Sequence, residues 1–206
     1  MAKGLSKSIA LLALLWLAGT PAITGAQPLS PATEAQLLAD DAYYPALIGK
    51  IRTAQKSINL VMYLWKISAG SDSRPDVLIR ALGETKRRGV AVRVILENSG
   101  YDEKLNRANR EAAKLLRQEG ITAVFDSPSV TTHTKLAVID QRFCFIGSHN
   151  LTQSALERNH EMSILLDDRR LAGELTAYTD RIATEEATYR PVLKAPRQSG
   201  RQSHRR

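Results

Sequence analysis

The stretch T-H-T-K-L-A-V-I-D, residues 132–140, sets a histidine and a lysine at the start of an apolar run. Residues 136–139 are all apolar and are typical of a buried strand. A second short apolar run, F-C-F-I-G at 143–147, follows after Gln141 and Arg142. This spacing predicts an antiparallel hairpin, because a parallel crossover needs a dozen or more residues.

A hairpin with a symmetric turn of two or four residues would place four polar side chains on one face. In that register Lys135 lies opposite Ser148 and His133 lies opposite Asn150, and directly opposed residues share a face. A bulge or a three-residue turn would break this parity. Lysine supplies positive charge, and serine and asparagine supply neutral donors. Because histidine can act as a nucleophile or a proton carrier, the cluster predicts a phosphodiester site.

The flanking residues extend this prediction. If residues 151–157 (L-T-Q-S-A-L-E) begin a helix, their free backbone N–H groups also favour an anion at this place. Asp140 ends the strand with the opposite parity from His133 and Lys135, so a regular strand turns it to the other face. We therefore expect Asp140 to have a structural role, such as fixing the turn.

The chain before residue 130 alternates between strand-like and helix-like segments. Apolar strands are predicted at 57–65, 90–97 and 121–126. A helix between the first two begins near Ser73 and ends at Gly89, and another ends at Gly120. This alternation indicates parallel βαβ units. The predicted fold class is α/β, with a mixed, largely parallel sheet, helices on both faces and a C-terminal hairpin that carries the histidine and the lysine.

The ends of the chain differ from its centre in composition. Residues 1–26 have a basic start, an apolar run at 9–19 and small residues at 24–26, which predicts a cleaved secretory signal, with an uncleaved anchor as the alternative. We expect an N-terminal arm at 27–38, a catalytic domain at 39–190 and a basic disordered tail at 191–206. The mature protein would then be periplasmic or secreted, without stable membrane insertion.

The net charge of +8 is spread unevenly. Seven of the 29 basic residues lie in the first 26 and the last 13 residues, so the centre of the chain is nearly neutral. A basic tail attracts polyanions such as nucleic acid, although a solvated tail that aids solubility is an equal alternative. Cys144 is the single cysteine and lies in an apolar run, which predicts a buried core residue.

The motifs around the hairpin resemble those of a known family. Residues 133–140 match the H-x-K-x4-D motif of the phospholipase D superfamily, and 147–150 match the G-[ST]-x-N segment that follows it. Glu161 matches the glutamate of the next strand. The resemblance spans roughly residues 40–190 and is closest to the small bacterial periplasmic endonucleases that carry one motif per chain.

The resemblance implies a mechanism and an assembly. A motif histidine attacks phosphorus and forms a phosphohistidine, and a second motif histidine protonates the leaving oxygen and then activates water. Carried onto this chain, His133 takes both roles in two copies, and Lys135, Ser148 and Asn150 bind the phosphate. Glu161 would hydrogen-bond the imidazole and hold its tautomer. Since this chain has one motif, the resemblance implies a homodimer with a shared active site, and no metal or other cofactor.

The substrate is open at this point. Members of the family cleave nucleic acid or phospholipid head groups, and the single motif and the basic tail favour nucleic acid. Tyr63, Trp65 and Tyr101 end or follow strands and could stack on bases, with packing or a rim position as the more common role of such residues. Hydrolysis of phospholipid head groups is the alternative, and a non-catalytic nucleic-acid-binding protein is a weaker one.

Two other kinds of site would use residues near the motif. His133, His149, His160, Glu161 and Cys144 are ligand types for zinc, but their spacing matches no common zinc pattern. Ser148 lies in G-S-H-N and does not fit the nucleophile elbow of a serine hydrolase. The sequence therefore disfavours both a metal site and a serine nucleophile.

Overall fold

The computed structural model describes residues 34–68 and 72–188. The expected signal peptide, the first part of the arm and the basic tail lie outside the described residues. The strands are β1 (Glu34–Ala39), β2 (Ser57–Met62), β3 (Ala91–Leu96), β4 (Thr122–Phe125), β5 (Lys135–Ile139), β6 (Phe143–Gly147) and β7 (Met162–Asp167). The helices are α1 (Tyr43–Thr53), α2 (Arg74–Arg87), α3 (Glu103–Gln118), α4 (Gln153–Glu157) and α5 (Arg169–Thr188), and a 3-10 turn covers Asp40–Ala42.

The described strands form one sheet in the order β1-β7-β6-β5-β2-β3-β4. β2, β3 and β4 are parallel, whereas the ladders that join β2 to β5, β6, β7 and β1 are antiparallel. The mixed α/β class is confirmed. The parallel part is smaller than predicted, since it comprises two of the six ladders between described strands, because β5, β6 and β7 follow one another as antiparallel neighbours.

Helices cover both faces of the sheet, as predicted. On one face α1, α2, α3 and α4 enclose the larger core, which includes Leu47, Leu82, Leu116, Phe145 and Leu156. On the other face Ala172 and Ile182 of α5 pack on a smaller cluster. The sheet is therefore buried on both sides at its centre, which explains the near-continuous apolar sequence of β5.

Local signals in the sequence explain where α2 and α3 begin and end. The Ser73 side chain caps α2, with Pro75 in its first turn, and the backbone of Gly89 beyond its end has φ 94°. The carboxylate of Asp102 accepts from the Leu105 N–H at 2.9 Å and caps α3. Gly120 beyond α3 has φ 74°, a conformation that glycine adopts without a steric penalty. The predicted bounds at Ser73, Gly89 and Gly120 are confirmed.

The edge strand β1 was not expected. Residues 34–38, which the sequence assigned to the N-terminal arm, pair with β7 in antiparallel register, with Leu37 opposite Ile164. Glu34, Ala35, Gln36 and Leu37 are exposed, so this strand has little of the apolar pattern that marks a buried strand. β1 forms because it pairs with β7, which lies more than 120 residues away in the sequence, so no local signal marks it.

Candidate active site at one edge of the sheet

Polar residues gather where the carboxyl ends of the parallel strands meet the beginning of β5. β5 and β7 run opposite to the other described strands. Their first residues therefore lie at the same edge of the sheet, one formed by strand ends, as the last residues of β2, β3 and β6. The edge thus presents, from neighbouring strands, Glu161, Ser148, His133, Lys135, Tyr63 and Glu97.

His133 and Lys135 lie in direct contact at this edge. The Lys135 ammonium is 3.1 Å from Nε2 and 3.3 Å from Nδ1 of His133, and it donates to the His133 carbonyl at 2.9 Å. The ring of Tyr63 packs edge-on against the imidazole, with ring centroids 4.5 Å apart. The imidazole of His133 is exposed, so it is held by neighbours and still open to an incoming group.

Lys135 is the first residue of β5 and is only 7% exposed. This burial lowers the pKa of its ammonium, and the negative charge of Glu161 opposes that shift. A buried ammonium carries a desolvation cost unless an anion pairs with it. The described chain supplies ring nitrogens, a carbonyl and a more distant carboxylate, so an anion such as a phosphate would complete the site.

Glu161 and Ser148 form a second pair beside the first. The Ser148 hydroxyl and a Glu161 carboxylate oxygen are hydrogen-bonded, and the other carboxylate oxygen accepts from Asn159 Nδ2 at 3.1 Å. Ser148 Oγ also accepts from the Met162 N–H at 3.0 Å. Within the described chain Glu161 makes no hydrogen bond to His133, which differs from the expected contact, because Ser148 and Asn159 engage its oxygens.

The hairpin register explains why Ser148 lies here. Ile139 pairs with Phe143 and Val138 with Cys144, which is one residue away from the predicted register. Three residues, not two, separate the paired positions, because Asp140 and Gln141 both have left-handed backbones with φ 55° and 52°. The predicted pairs of Lys135 with Ser148 and His133 with Asn150 are therefore wrong, although all four residues belong to the same edge.

Gly147 allows β6 and β7 to approach closely at the site. A Cβ at this position would lie 2.4 Å from the Met162 carbonyl oxygen and would also meet the side chain of Ser163. Only glycine fits this spacing. The glycine of the G-S-H-N segment therefore sets Ser148 directly against the start of β7.

Asn150 borders a cleft of about 420 Å³ that also includes Tyr63 in its wall. Its Oδ1 is buried and has no hydrogen-bond partner within the described part of the chain. Asn150 therefore borders the same surface as His133, through Tyr63, but within residues 34–68 and 72–188 it forms no hydrogen bond with Lys135 or Ser148. Residues 153–157, within the segment 151–157 for which a helix was only a condition, form the short helix α4 next to it.

Asp140 lies at the opposite end of β5. Its carboxylate accepts from the N–H groups of Gln55, Lys56 and Ser57 at 3.0, 2.7 and 3.2 Å. Gln55 and Lys56 belong to the connection between α1 and β2, and Ser57 is the first residue of β2. Asp140 thus fastens the hairpin turn to that connection, and these contacts match the structural role expected for it.

Sequence reasoning missed a set of buried acids behind the motif. The segment from β4 to β5 crosses the ends of β3 and β2, and Thr132 is held there from two sides. Its N–H donates to a Glu97 carboxylate oxygen at 2.6 Å, and its hydroxyl is hydrogen-bonded to Asp126. Burial raises the pKa of Glu97, and the charge of Asp126 adds to the effect, while the Thr132 bond opposes it. The residue before His133 is therefore fixed to β3 and β4.

Asn109 was also missed. It lies on the apolar face of α3, where Oδ1 accepts from the Trp65 N–H at 2.8 Å and Nδ2 donates to the carbonyls of Tyr63 and Glu97 at 2.9 Å each. It therefore joins the ends of β2 and β3 beneath the site. An asparagine four residues after Leu105, at an apolar position of the helix, was the signal that could have revealed it.

The aromatic and remaining histidine residues divide into buried and exposed ones. Trp65 is fully buried and therefore has the packing role rather than the stacking role, whereas Tyr101 is 80% exposed. His149 is buried, stacks on Tyr43 with centroids 4.2 Å apart, and contacts Ser163 Oγ at 2.7 Å. His160 lies on the surface, 3.4 Å from the Asp40 carboxylate.

Residues 34–68 and 72–188 lack two kinds of feature. No group of three or more histidine, cysteine, aspartate or glutamate side chains in these ranges is arranged to hold a metal ion. No helix in them is both long and apolar enough to cross a membrane.

Comparison with known proteins agrees with the motifs and the fold. The family described as "Cardiolipin synthase, PLD-like domain" matches residues 47–183. A protein named phospholipase D from Rickettsia prowazekii is 32% identical over 126 residues, which are 61% of this chain and 55% of that protein. The chain thus spans about half the length of the curated relatives it matches.

Solved structures share the fold. A phospholipase D family member, Nuc, from Salmonella typhimurium matches with a TM-score of 0.62 and 23% identity, over 74% of this chain and 95% of that one. NucT from Helicobacter pylori matches with a TM-score of 0.58 and 18% identity, over 74% and 97% of the two chains. The resemblance first seen in residues 133–140, 147–150 and Glu161 is confirmed at the level of the family: the chain belongs to the phospholipase D superfamily.

Proposed function

We propose that this protein is a phosphodiester hydrolase that works through a phosphohistidine on His133, without a metal. The observation that carries the proposal is the contact between an exposed imidazole and a buried ammonium, His133 and Lys135, at an open edge of the sheet. An ammonium in this position would neutralise a phosphate while the imidazole attacks it.

The proposed reaction has two steps. A ring nitrogen of His133 attacks phosphorus, so a P–N bond forms as the bond from phosphorus to the leaving oxygen breaks. The protonated His133 imidazole of a second copy gives a proton to that oxygen and becomes neutral. It then takes a proton from water, whose oxygen attacks phosphorus and releases the first histidine. Lys135 and Asn150 bind the non-bridging oxygens with Ser148, and Glu161 holds Ser148 and supports the charge of Lys135.

The need for a second histidine supports a homodimer. Leu37, Ile164 and Ile146 lie side by side on β1, β7 and β6, since Ile164 pairs with both of the others. They are 60%, 42% and 38% exposed, and Met162 beside them is 61% exposed. This apolar face ends next to Ser148 and Glu161. A second copy that covers it would bury the apolar surface and bring its own site close to the first.

We further propose that the substrate is DNA or RNA and that the protein acts in the periplasm or outside the cell. The sequence of residues 1–26 supports export, and the basic tail supports a polyanionic substrate. Hydrolysis of phospholipid head groups is the second candidate, because the relative from Rickettsia prowazekii bears the name phospholipase D.

One set of assays tests the chemistry. The protein without residues 1–26 is incubated with plasmid DNA, single-stranded RNA and phosphatidylcholine vesicles in chelator, beside H133A. Cleavage of nucleic acid by the wild type alone, with an acid-labile phosphate on the protein after a quench, is expected. Release of choline without cleavage of nucleic acid would favour the second candidate, and loss of all activity in chelator would refute the metal-free reaction.

A separate measurement tests the shared site. H133A protein added in excess to the wild type should form mixed dimers that lack one of the two histidines, so activity should fall below that of the wild type diluted with buffer. Sedimentation should give a dimer, and I164E should shift it to a monomer of low activity. A fully active monomer would rule out the shared site.

A further inference from the structure

The cleft beside Asn150 carries a charge pattern that the reaction at His133 does not use. Its wall includes two lysines, Lys66 from the segment after β2 and Lys104 from the first turn of α3. Among the residues that the structure describes, neither ammonium has an ion-pair or hydrogen-bond partner. The acid in the same wall, Asp102, is engaged as the cap of α3.

The rest of the cleft suits a flat group with polar edges. Leu64, Leu105 and Ala108 provide apolar surface, and Asn150 and Asn159 also line the cleft, with the Nδ2 of Asn159 bonded to Glu161. The buried Asn150 Oδ1 has no partner in the described chain, so this amide beside the cleft is not fully bonded within the fold. The volume of about 420 Å³ lies within the range of small-molecule sites.

The position of the cleft links it to the reaction. Tyr63 forms part of its wall and packs against the imidazole of His133 with centroids 4.5 Å apart. A group esterified to a phosphate at His133 would therefore lie next to this cleft. Two free ammonium groups repel a cationic head group such as choline and attract a further phosphate on the same chain.

We infer that this cleft is a nucleoside subsite, and that Lys66 and Lys104 bind the next phosphate of a polynucleotide strand. The inference rests on the proposed function, since it names the substrate class that the same site selects. It assigns substrate choice to residues outside the H-x-K motif, and it favours nucleic acid over phospholipids with cationic head groups.

The test compares two substrates in K66A, K104A and the double variant. One substrate is bis(p-nitrophenyl) phosphate, which has a single phosphate, and the other is a labelled oligonucleotide. We expect kcat/KM for the oligonucleotide to fall about threefold to tenfold for each lysine, and the slope of log kcat/KM against log salt to decrease by about 0.7 per lysine. The loss for the single-phosphate substrate should be clearly smaller.

K114A is the matched control, because Lys114 lies exposed on the same helix, ten residues beyond Lys104 and outside the cleft. Equal losses for both substrates, or effects no larger than those of K114A, would overturn the subsite. A wild type that cleaves neither nucleic acid nor the small diester would instead refute the proposed function. A wild type that cleaves phosphatidylcholine in preference to the oligonucleotide would also overturn the subsite.

Discussion

Strand β5 carries residues of one motif at both ends, and the two ends differ in how their polar groups are satisfied. At one end the Asp140 carboxylate accepts hydrogen bonds from three backbone N–H groups, those of Gln55, Lys56 and Ser57. At the other end, the Lys135 ammonium is buried beside His133. The negative charge of Glu161 acts on this ammonium without a direct hydrogen bond. A fully bonded polar group holds the fold, and a buried charge that still lacks a close counter-ion is free to bind a substrate.

The largest effect should come from the end of β5 that carries His133 and Lys135. H133A should lower kcat by at least about a thousandfold, as removal of a nucleophile does in other hydrolases, with no change in the midpoint of thermal unfolding because the side chain is exposed. Steady-state kinetics and a melting curve on the same preparation would check this. Activity within tenfold of the wild type would place the nucleophile elsewhere.

Substitution at the Asp140 end of β5 should lower stability and leave activity nearly unchanged. D140A leaves three backbone N–H groups without their acceptor and should lower the free energy of unfolding by about 1–3 kcal/mol. The specific activity of the folded fraction should stay within a few-fold of the wild type. Urea titration measures the first quantity. D140N retains one acceptor oxygen and should cost less; a D140A protein of normal stability but no activity would reverse the comparison.

A smaller effect on stability is expected from the segment just before His133. T132V keeps the shape of the side chain and its N–H bond to Glu97 but removes the hydroxyl bonded to Asp126. It should cost about 1 kcal/mol of stability. The exposed neighbour Thr131 provides the control, T131V, which should leave the urea midpoint unchanged. Equal midpoints for the two variants would show that the Asp126 bond does not hold this segment.

The smallest effect should be a change of stability with pH. The pKa of Glu97 is raised by burial above its ordinary value of 4.5, so the folded protein binds this proton more tightly than the unfolded chain. That contribution is present below pH 4.5 and is lost as the pH rises through the folded pKa. Because glutamine cannot ionise, E97Q should gain stability relative to the wild type above pH 4.5. If the difference in free energy of unfolding between E97Q and the wild type did not vary with pH, ionisation of Glu97 would not be its cause.

The sequence predicted the elements around the site better than their pairing. Apolar runs and caps located β2, β3 and β5, and the ends of α2 and α3, because burial and capping leave local signals. The predicted register of the hairpin was wrong by one residue. The turn sequence D-Q-R has no glycine and so gave no signal of two consecutive residues with left-handed backbones. Trp65 and Tyr63 looked alike as aromatic candidates, and only packing put one in the core and the other against His133.

The sequence by itself determined the family, the candidate nucleophile and the residues that accompany it, because spacing along a strand keeps His133, Lys135 and Asp140 in a fixed relation. Tertiary structure alone decided which polar groups meet. It paired β1 with β7, set Ser148 on Glu161, joined Glu97 and Asp126 at Thr132, and opened the cleft between Tyr63, Lys104 and Asn150. These contacts join residues far apart in the chain, and they depend on crossings and turns that local sequence does not specify.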